Sequence, residues 1–174
     1  MSYTKHHNFL SKEDLNIVGD EAFGYMQDPS TSYTTNFSKW DSNIVRDSNV
    51  VLMKHLVDNG KIINEQSKAT KTLNQNFKNK YSSSPDGLSI FYWSKGSYIP
   101  WHDDDDKSRA CTLYLNDKWD PWWGGYFVAR LEEDSIMIKP EQNLMIEQTN
   151  NIWHCTTPTT SFADVRISIQ AFWK

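Results

Sequence analysis

Cysteine is scarce in this chain, and the two cysteines present, Cys111 and Cys155, are too few for a disulfide framework. We expect both to be free thiols in a reducing compartment, with a single disulfide between them as the alternative. The sequence also lacks an apolar run long enough to span a membrane. Residues 1–7 lead directly into polar sequence, without the apolar core of a signal peptide. These absences predict a cytoplasmic protein with no membrane partner.

Positive charge is also in short supply. Lysine and arginine together number 18 against 22 aspartates and glutamates, the net charge is −4, and no basic cluster interrupts this balance. A protein that binds nucleic acid normally presents a basic surface to the phosphates. The composition therefore argues against a nucleic-acid partner.

Aromatic residues, by contrast, are plentiful, since Trp, Tyr and Phe each occur 8 times and make up 14% of the sequence. Side chains of this size can close a core in a chain of modest length. A length of 174 residues suits one domain with one core. We therefore predict a single domain over residues 1–174, whose two halves differ in their sequence period.

The first half has mainly helical spacing. Apolar residues recur at helical intervals over residues 11–26, where Ser11 is placed to cap a helix. A second helix is expected over residues 47–60, with a glycine as its stop. Residues 62–80 are polar and form either a solvated helix or a loop. We therefore predict that residues 1–81 are a helical support region.

The second half has the period of β-strands. Short runs rich in β-branched and aromatic residues alternate with turn signals such as Gly124-Gly125 and Lys139-Pro140. Seven or eight strands at this spacing are typical of a sandwich or barrel. The predicted fold class is α+β, mainly β, with N-terminal helices that buttress one β-unit over residues 88–174. The predicted strands cover residues 88–93, 110–115, 126–131, 135–138, 143–147, 152–156 and 165–172.

Two histidines and an acid are placed to form a metal site. His102 and Asp104 are two residues apart, so on a strand their side chains point to the same side and can bind one ion. His154, in a distant predicted strand, completes a 2-His-1-carboxylate triad, which leaves coordination positions open for other groups. Because four aspartates follow His102, a solvated acidic loop over residues 102–106 is the alternative.

From Tyr92 onward, the order and spacing of the motifs resemble the prolyl 4-hydroxylase-like family of iron(II)- and 2-oxoglutarate-dependent dioxygenases. The resemblance covers about half of the chain, which makes it more specific than any single motif. The matching segments are Tyr92-(x5)-Tyr98-(x3)-His102-x-Asp104, residues 112–119 (TLYLNDKW), residues 124–127 (GGYF), Lys139-Pro140, His154 and residues 166–173 (RISIQAFW).

The resemblance implies a double-stranded β-helix, a cupin-like jelly roll, as the catalytic core over residues 88–174. It matches His102, Asp104 and His154 with the family's iron ligands. Arg166 matches the basic residue that binds the distal carboxylate of 2-oxoglutarate, where a planar guanidinium suits bidentate pairing. An exposed arginine on a terminal strand is the alternative for that position.

Three further residues are candidates for the co-substrate pocket. Tyr92 and Tyr114 match tyrosines of that pocket in the family, and Thr156 lies on the same face of its strand as His154. Packing in the core, with a satisfied hydroxyl, is the alternative for each of them.

The activity implied is hydroxylation coupled to decarboxylation of 2-oxoglutarate to succinate, with iron(II), O2 and ascorbate as the reductant. The usual target in this family is a prolyl residue of a peptide or protein. A free amino acid or another small molecule is an alternative target, because this fold serves many substrates. A non-enzymatic metal-binding β-barrel is the alternative class. A nucleic-acid demethylase of the same superfamily would carry a second arginine where this chain has Phe172.

Three features bear on the substrate pocket. Asp103, Asp105 and Asp106 would place negative charge at its entrance and favour a basic substrate, with a merely solvated loop as the alternative. Residues 157–161 make the connection between His154 and Arg166 longer than usual for the family. Four tryptophans are candidates to line a groove for a proline-rich chain, with core and rim packing as the alternative: Trp101, Trp119, Trp122 and Trp123.

Overall fold

The structure is a computed structural model that describes residues 2–27, 37–39, 51–104, 106–149 and 152–174. Within these ranges the chain forms two α-helices, a 3₁₀ turn at Pro121–Trp123 and twelve β-strands. The helices are α1 (Lys12–Gln27) and α2 (Lys68–Tyr81). The strands are β1 (Ser2–His6), β2 (Phe37–Lys39), β3 (Val51–Asp58), β4 (Lys61–Ile62), β5 (Gly87–Trp93), β6 (Ile99–His102), β7 (Arg109–Tyr114), β8 (Phe127–Arg130), β9 (Ser135–Ile138), β10 (Met145–Thr149), β11 (His154–Thr156) and β12 (Arg166–Trp173).

These strands pair antiparallel in two sheets. The larger sheet has the order β1-β10-β7-β12-β5-β3-β2, with β4 paired to β3, and the smaller sheet has the order β6-β11-β8-β9. Strands β5 to β12 therefore divide between two facing sheets, as in a double-stranded β-helix. The predicted fold class, a mainly β jelly roll with buttressing helices, is confirmed.

Both helices pack against the outer face of the larger sheet. Val18 and Ala22 of α1, together with Leu73 and Phe77 of α2, are fully buried in the main core. Their partners on the sheet are alternate residues of the central strands, because successive side chains of a strand point to opposite faces. Burial of each large apolar side chain contributes about 1.5–3 kcal/mol. The main core therefore lies between the helices and the sheet, and leaves the other face of the sheet for the site.

The helix predicted over residues 11–26 is confirmed as α1. The Asp14 amide donates to the Ser11 hydroxyl over 3.1 Å, which satisfies one of the free amides at the helix start. Glu21 of α1 in turn accepts from the Ser67 hydroxyl and, over 2.9 Å, from the Ala69 amide at the start of α2. The sequence predicts either a helix or a loop over residues 62–80, and the structure forms helix α2 there. The start of α2 is hydrogen-bonded to α1 through Glu21.

The second predicted helix, over residues 47–60, is wrong. Within the described part of this segment, residues 51–58 form β3, which pairs with β5 from Val51 to Val57 with a register shift between His55 and Val57. Residues 47–50 lie outside the described residues. A short apolar run of this kind fits the period of a helix as well as that of a strand. Pairing with β5 makes it a strand here. Strand β1, which pairs with β10, was also not predicted, so the N-terminal region supplies sheet edges as well as helices.

The strands predicted in the second half are all present, with shifted ends in most cases. The prediction for residues 135–138 coincides with β9, whereas β11 begins two residues later than predicted. Strand β6, which carries the first histidine of the triad, was not predicted from the sequence. Cys111 and Cys155 are both free thiols, as expected. No helix in the described ranges is long and apolar enough to cross a membrane.

Candidate active site

A cavity opens between the two sheets, on the face of the larger sheet that the helices leave free. It has about 500 Å³ of empty space, open solvent included. Its walls carry most of the candidate residues from both sheets. The lining residues are Ile99, His102, Asp104, Ala110, Thr112, Tyr114, Phe127, Gln148, His154, Thr156, Arg166, Gln170 and Phe172.

His102 and His154 face each other across neighbouring strands of the smaller sheet. They are register partners between β6 and β11, and their ring centroids are 4.2 Å apart. His102 Nδ1 lies 2.8 Å from the Pro100 carbonyl oxygen, and His154 Nδ1 lies 2.7 Å from that of Ile152. A carbonyl can only accept, so each Nδ1 carries the proton. Each Nε2 is therefore left with a lone pair for a metal.

Asp104 follows β6 and brings a carboxylate to the two imidazoles. Its Oδ2 is 3.7 Å from His154 Nε2, and ligand atoms of His102, Asp104 and His154 all lie within 4.8 Å of one another. Two imidazole nitrogens and one carboxylate oxygen in this arrangement are a facial triad, the donor set that suits non-haem iron(II). The structure thus brings together the three predicted ligands, and their role fits an iron site.

The surroundings of His154 favour its neutral form. The ring is buried and stacks on Phe127, with ring centroids 5.4 Å apart. Burial, and next the nearby His102, lower the pKa of His154 from its ordinary value. A neutral imidazole is the form that binds a metal, so no proton has to leave His154 at neutral pH.

Arg166 is a buried cation with few protein partners. Its exposed fraction is 2%, its guanidinium carbon lies 4.0 Å from the centre of the Trp93 ring, and its Nη1 donates to the Gly125 carbonyl. Among the described residues no carboxylate forms an ion pair with it, and its Nε has no hydrogen-bond partner. Burial lowers the pKa of Arg166 to about 10, so it still carries its charge at neutral pH.

The buried charge of Arg166 destabilises the folded protein unless an anion binds to it, because the guanidinium loses its hydration without compensation. The exposed-arginine alternative is therefore excluded by the burial of Arg166. A guanidinium without an ion-pair partner that lines a cavity is suited to a carboxylate ligand, since its planar fork can donate two parallel hydrogen bonds to the carboxylate oxygens. The orphaned Nε leaves one donor of that fork available.

Tyr114 and Thr156 both line the cavity, as predicted. Tyr114 is 2% exposed, and its ring centre is 5.9 Å from the Arg166 guanidinium carbon. Burial raises the pKa of Tyr114 to about 12, so its hydroxyl keeps its proton and can donate to an acceptor beside Arg166. Contact of Tyr114 and Thr156 with the co-substrate remains a prediction.

The structure does not place Tyr92 in the co-substrate pocket, where the sequence predicts it. Its ring lies in the main core beneath the helices, and its hydroxyl donates to the Ala22 carbonyl of α1 over 2.7 Å. The neighbouring Trp93, on the opposite face of β5, is the residue that contacts Arg166. Tyr92 is absent from the cavity wall, so the structure does not support it as a ligand of the co-substrate. It fastens α1 to the sheet instead.

A pair of glycines holds the Arg166 end of the cavity in shape. Gly124 and Gly125 both have positive φ, +69° and +66°, which other residues adopt at a cost. A β-carbon at Gly124 would lie 2.1 Å from the Pro158 carbonyl oxygen. Residues 157–161, the long connection noted in the sequence, therefore pack directly on this turn, and the Thr160 amide donates to the Trp123 carbonyl.

The tryptophans do not line the cavity. Trp119 is buried and donates from Nε1 to the Gly124 carbonyl over 2.8 Å, and its ring packs edge-on against Trp123. Trp101 and Trp122 are exposed, the latter at 84%. For Trp119 the packing alternative is therefore the observed role, since it supports the glycine turn.

Several lining residues were not found from the sequence. Thr112, Gln148 and Gln170 are polar, and they face the cavity from the larger sheet. In each case the signal would have been a polar side chain on the inward face of a buried strand. The sequence alone does not show which face of β7, β10 or β12 points inward.

A jelly roll with a 2-His-1-carboxylate triad between its sheets defines the class of non-haem metal oxygenases. Residues 88–174, half of the chain, match the family model described as the 2OG-Fe(II) oxygenase superfamily. The chain therefore belongs to the 2OG-Fe(II) oxygenase superfamily. No curated protein matches its sequence.

Solved structures share the fold at low identity. A prolyl-4-hydroxylase from Pseudomonas putida is 13% identical with a TM-score of 0.72, and the match covers 99% of this chain and 91% of that one. A prolyl hydroxylase from Trichoplax adhaerens, in complex with a peptide of hypoxia inducible factor, is 15% identical with a TM-score of 0.78, over 98% and 82% of the chains. The alpha ketoglutarate dependent epimerase SnoN of nogalamycin biosynthesis is 11% identical with a TM-score of 0.65, over 98% and 76%.

Membership of this superfamily implies iron(II), 2-oxoglutarate and O2, and the site residues fit these groups. His102, Asp104 and His154 would hold the metal, and Arg166 would hold the distal carboxylate of 2-oxoglutarate. The unpaired, buried guanidinium is the observation that fits a dicarboxylate, because nothing among the described protein groups neutralises it.

Gly125→Ala tests how the glycine turn positions Arg166. The new β-carbon would lie 3.2 Å from Arg166 Nη1 and 3.3 Å from the Trp119 ring, at a φ of +66°. We expect the guanidinium to shift and the affinity for 2-oxoglutarate to fall by about tenfold, with a loss of about 1–2 kcal/mol in stability from the strained backbone. Calorimetric titration of 2-oxoglutarate into the anaerobic Mn(II)-loaded protein measures the affinity.

Gly24→Ala in α1 is the matched control for that substitution. A β-carbon there would meet nothing within 4 Å, and a helical glycine is replaced by alanine with a gain of about 1 kcal/mol. The control should bind 2-oxoglutarate as the unmodified protein does. Equal affinity in Gly125→Ala would show that the turn does not position Arg166.

Proposed function

We propose that the protein hydroxylates prolyl residues in a peptide or protein, with decarboxylation of 2-oxoglutarate to succinate and ascorbate as the reductant. The observation that carries the proposal is the motif order from Tyr92 to Trp173, which resembles the prolyl 4-hydroxylase-like family. The structural similarity to the Pseudomonas putida and Trichoplax adhaerens prolyl hydroxylases supports it at the level of the fold.

The protein's own contribution is to orient the metal ligands and the co-substrate and to exclude water from the site. Iron(II) and 2-oxoglutarate, when bound, supply the oxidising chemistry. His102 and His154, oriented by backbone carbonyls, present Nε2 to the metal. Arg166 and Tyr114 lie close together in the cavity wall and would bind the distal carboxylate there. Ile99 and Phe127, on the cavity wall, exclude water around the triad.

A small molecule is the second candidate substrate. The fold is shared with the epimerase SnoN of nogalamycin biosynthesis, so it also serves chemistry on compounds that are not peptides. Competition between a proline-containing peptide and free proline in the turnover assay distinguishes the two substrate classes.

The deciding experiment measures succinate formed from 2-oxoglutarate with iron(II) and ascorbate, with and without a panel of proline-containing peptides. Stimulation by a peptide, together with a product heavier by about 16 mass units for one added oxygen, would establish a peptidyl hydroxylase. Turnover that no peptide stimulates would leave an oxygenase of small molecules. Binding of iron(II) and 2-oxoglutarate without any turnover would favour the non-enzymatic metal-binding barrel.

A further inference from the structure

Gln148 is a buried polar side chain in the cavity that the metal and the co-substrate do not account for. It lies on β10, its exposed fraction is 6%, and its Nε2 has no hydrogen-bond partner among the described protein groups. A buried amide donor without an acceptor is destabilising, because the group loses its hydration without compensation. Since Gln148 lines the cavity, an acceptor on a bound molecule would remove that cost.

Gln148 lies at the far end of the cavity from Arg166. It is the register partner of Ala110 on β7, and Ala110 is the partner of Phe172 on β12. Phe172 and Arg166 lie on the same strand, and the six steps between them span about 20 Å at ~3.3 Å per residue. A five-carbon diacid is no longer than two extended residues, about 7 Å. The separation along β12 is therefore more than twice the length of a 2-oxoglutarate molecule bound to Arg166.

A second recess adjoins the cavity and shares part of its wall, including Gln148. This recess is lined by Gln148 together with Asp104, Lys107, Ala110, Thr149, Ile152 and His154. Asp104 and His154 are therefore shared by the cavity and the recess, which places Gln148 beside the metal ligands on the side away from Arg166. A molecule that reaches the metal from this side would pass the Gln148 amide.

The two ends of the site differ in charge. Arg166 offers a cation to an anion, whereas Gln148 offers a neutral amide. Lys107, the cation in the recess wall, pairs with the Asp106 carboxylate. A neutral donor is suited to a neutral acceptor such as an amide carbonyl, for which it competes well once water is excluded. A peptide substrate carries such a carbonyl at every residue.

We infer that Gln148 is a specificity residue, whose Nε2 donates to a backbone carbonyl of the substrate next to the residue that is oxidised. The inference rests on the proposed peptidyl hydroxylase function and adds to it how the peptide is recognised. It assigns the 2-oxoglutarate carboxylate to Arg166 and the substrate amide to Gln148, on opposite sides of the triad.

The test compares the unmodified protein with Gln148→Leu, which keeps the size of the side chain and removes the donor. Two affinities are measured by calorimetry on the anaerobic Mn(II)-loaded protein: that for 2-oxoglutarate, and that for a proline-containing peptide once 2-oxoglutarate is bound. We expect the peptide affinity to fall by about tenfold, the effect of one lost hydrogen bond. The affinity for 2-oxoglutarate should not change. Gln148→Met is measured if Gln148→Leu does not fold, and Gln75→Leu on the surface of α2 is the control.

A peptide in which one backbone carbonyl is reduced to a methylene sharpens the test. Reduction of the correct carbonyl should weaken binding to the unmodified protein by about tenfold and should not weaken binding to Gln148→Leu further. Unchanged peptide affinity in Gln148→Leu, or an equal loss of 2-oxoglutarate affinity, would overturn the inference alone. If the unmodified protein binds 2-oxoglutarate but no peptide, the proposed substrate class fails, and the role of Gln148 fails with it.

Discussion

Replacement of Arg166 by methionine should abolish tight 2-oxoglutarate binding without destabilising the free protein. The guanidinium is 2% exposed and has no ion-pair partner among the described residues, so the free protein bears the cost of an uncompensated charge. Methionine is unbranched and fills a similar space without charge. We expect the free energy of unfolding without ligand to stay equal or to rise by about 1–3 kcal/mol.

The affinity for 2-oxoglutarate, in contrast to the stability, should fall strongly. Removal of one member of a buried charge pair costs about 3–5 kcal/mol, which predicts at least about a 100-fold weaker 2-oxoglutarate affinity for Arg166→Met. Denaturant unfolding gives the first quantity and calorimetric titration the second. Arg130→Met, on the exposed end of β8, is the control and should leave the 2-oxoglutarate affinity unchanged.

Two results would contradict this account of Arg166. A fall of more than about 2 kcal/mol in the free energy of unfolding without ligand would mean that the Gly125 carbonyl and the Trp93 ring already compensate the charge. Unchanged 2-oxoglutarate affinity would mean that another group binds the distal carboxylate.

The second large effect is expected for His102→Ala. Loss of one of three protein ligands leaves His154 and Asp104 alone to hold the metal. Removal of a mere outer-shell partner of a metal ligand costs 10–100-fold in affinity or activity, so we expect loss of a ligand to exceed about 100-fold in both. Iron(II) affinity and succinate formation are the two measurements.

The matched control for His102→Ala is His55→Ala. His55 is an exposed residue of β3, where its Nδ1 lies 3.0 Å from the Ser89 hydroxyl, and it does not line the cavity. The control should keep both the metal affinity and the turnover of the unmodified protein. If His102→Ala binds iron(II) as tightly as the control, the triad assignment is wrong.

The strands and the metal triad were predictable from the sequence because their signals are local. In β9 and β12, β-branched and apolar residues bounded by turn signals are sufficient to locate a strand. His102, Asp104 and His154 match the spacing of the family motif, although Asp104 lies just beyond the end of β6 at His102. His154 stood out as a histidine in a predicted strand distant from His102, and Arg166 as a charged residue flanked by Val165 and Ile167.

The sequence did not show which side chains of a buried strand point into the cavity. Strand β5 is buried along both faces, so its sequence shows no alternation of polar and apolar residues. A shift of one residue exchanges the faces, and only the pairing with β12 shows that Tyr92 points to the helices and Trp93 to the site. In β10, Glu147 and Gln148 are both polar, and the sequence does not show which of them enters the cavity.

The sequence by itself therefore determined the mainly β fold class and the positions of the core strands, which depend on short-range period. Its motifs also singled out the three residues that are placed to hold a metal. The tertiary structure decided that residues 51–58 join the sheet as β3, that Tyr92 fastens a helix, and that Gln148 lies unpaired beside the triad. The physical reason is that strand pairing joins residues far apart in the chain, and the register of that pairing, rather than any local pattern, sets which side chains face the cavity.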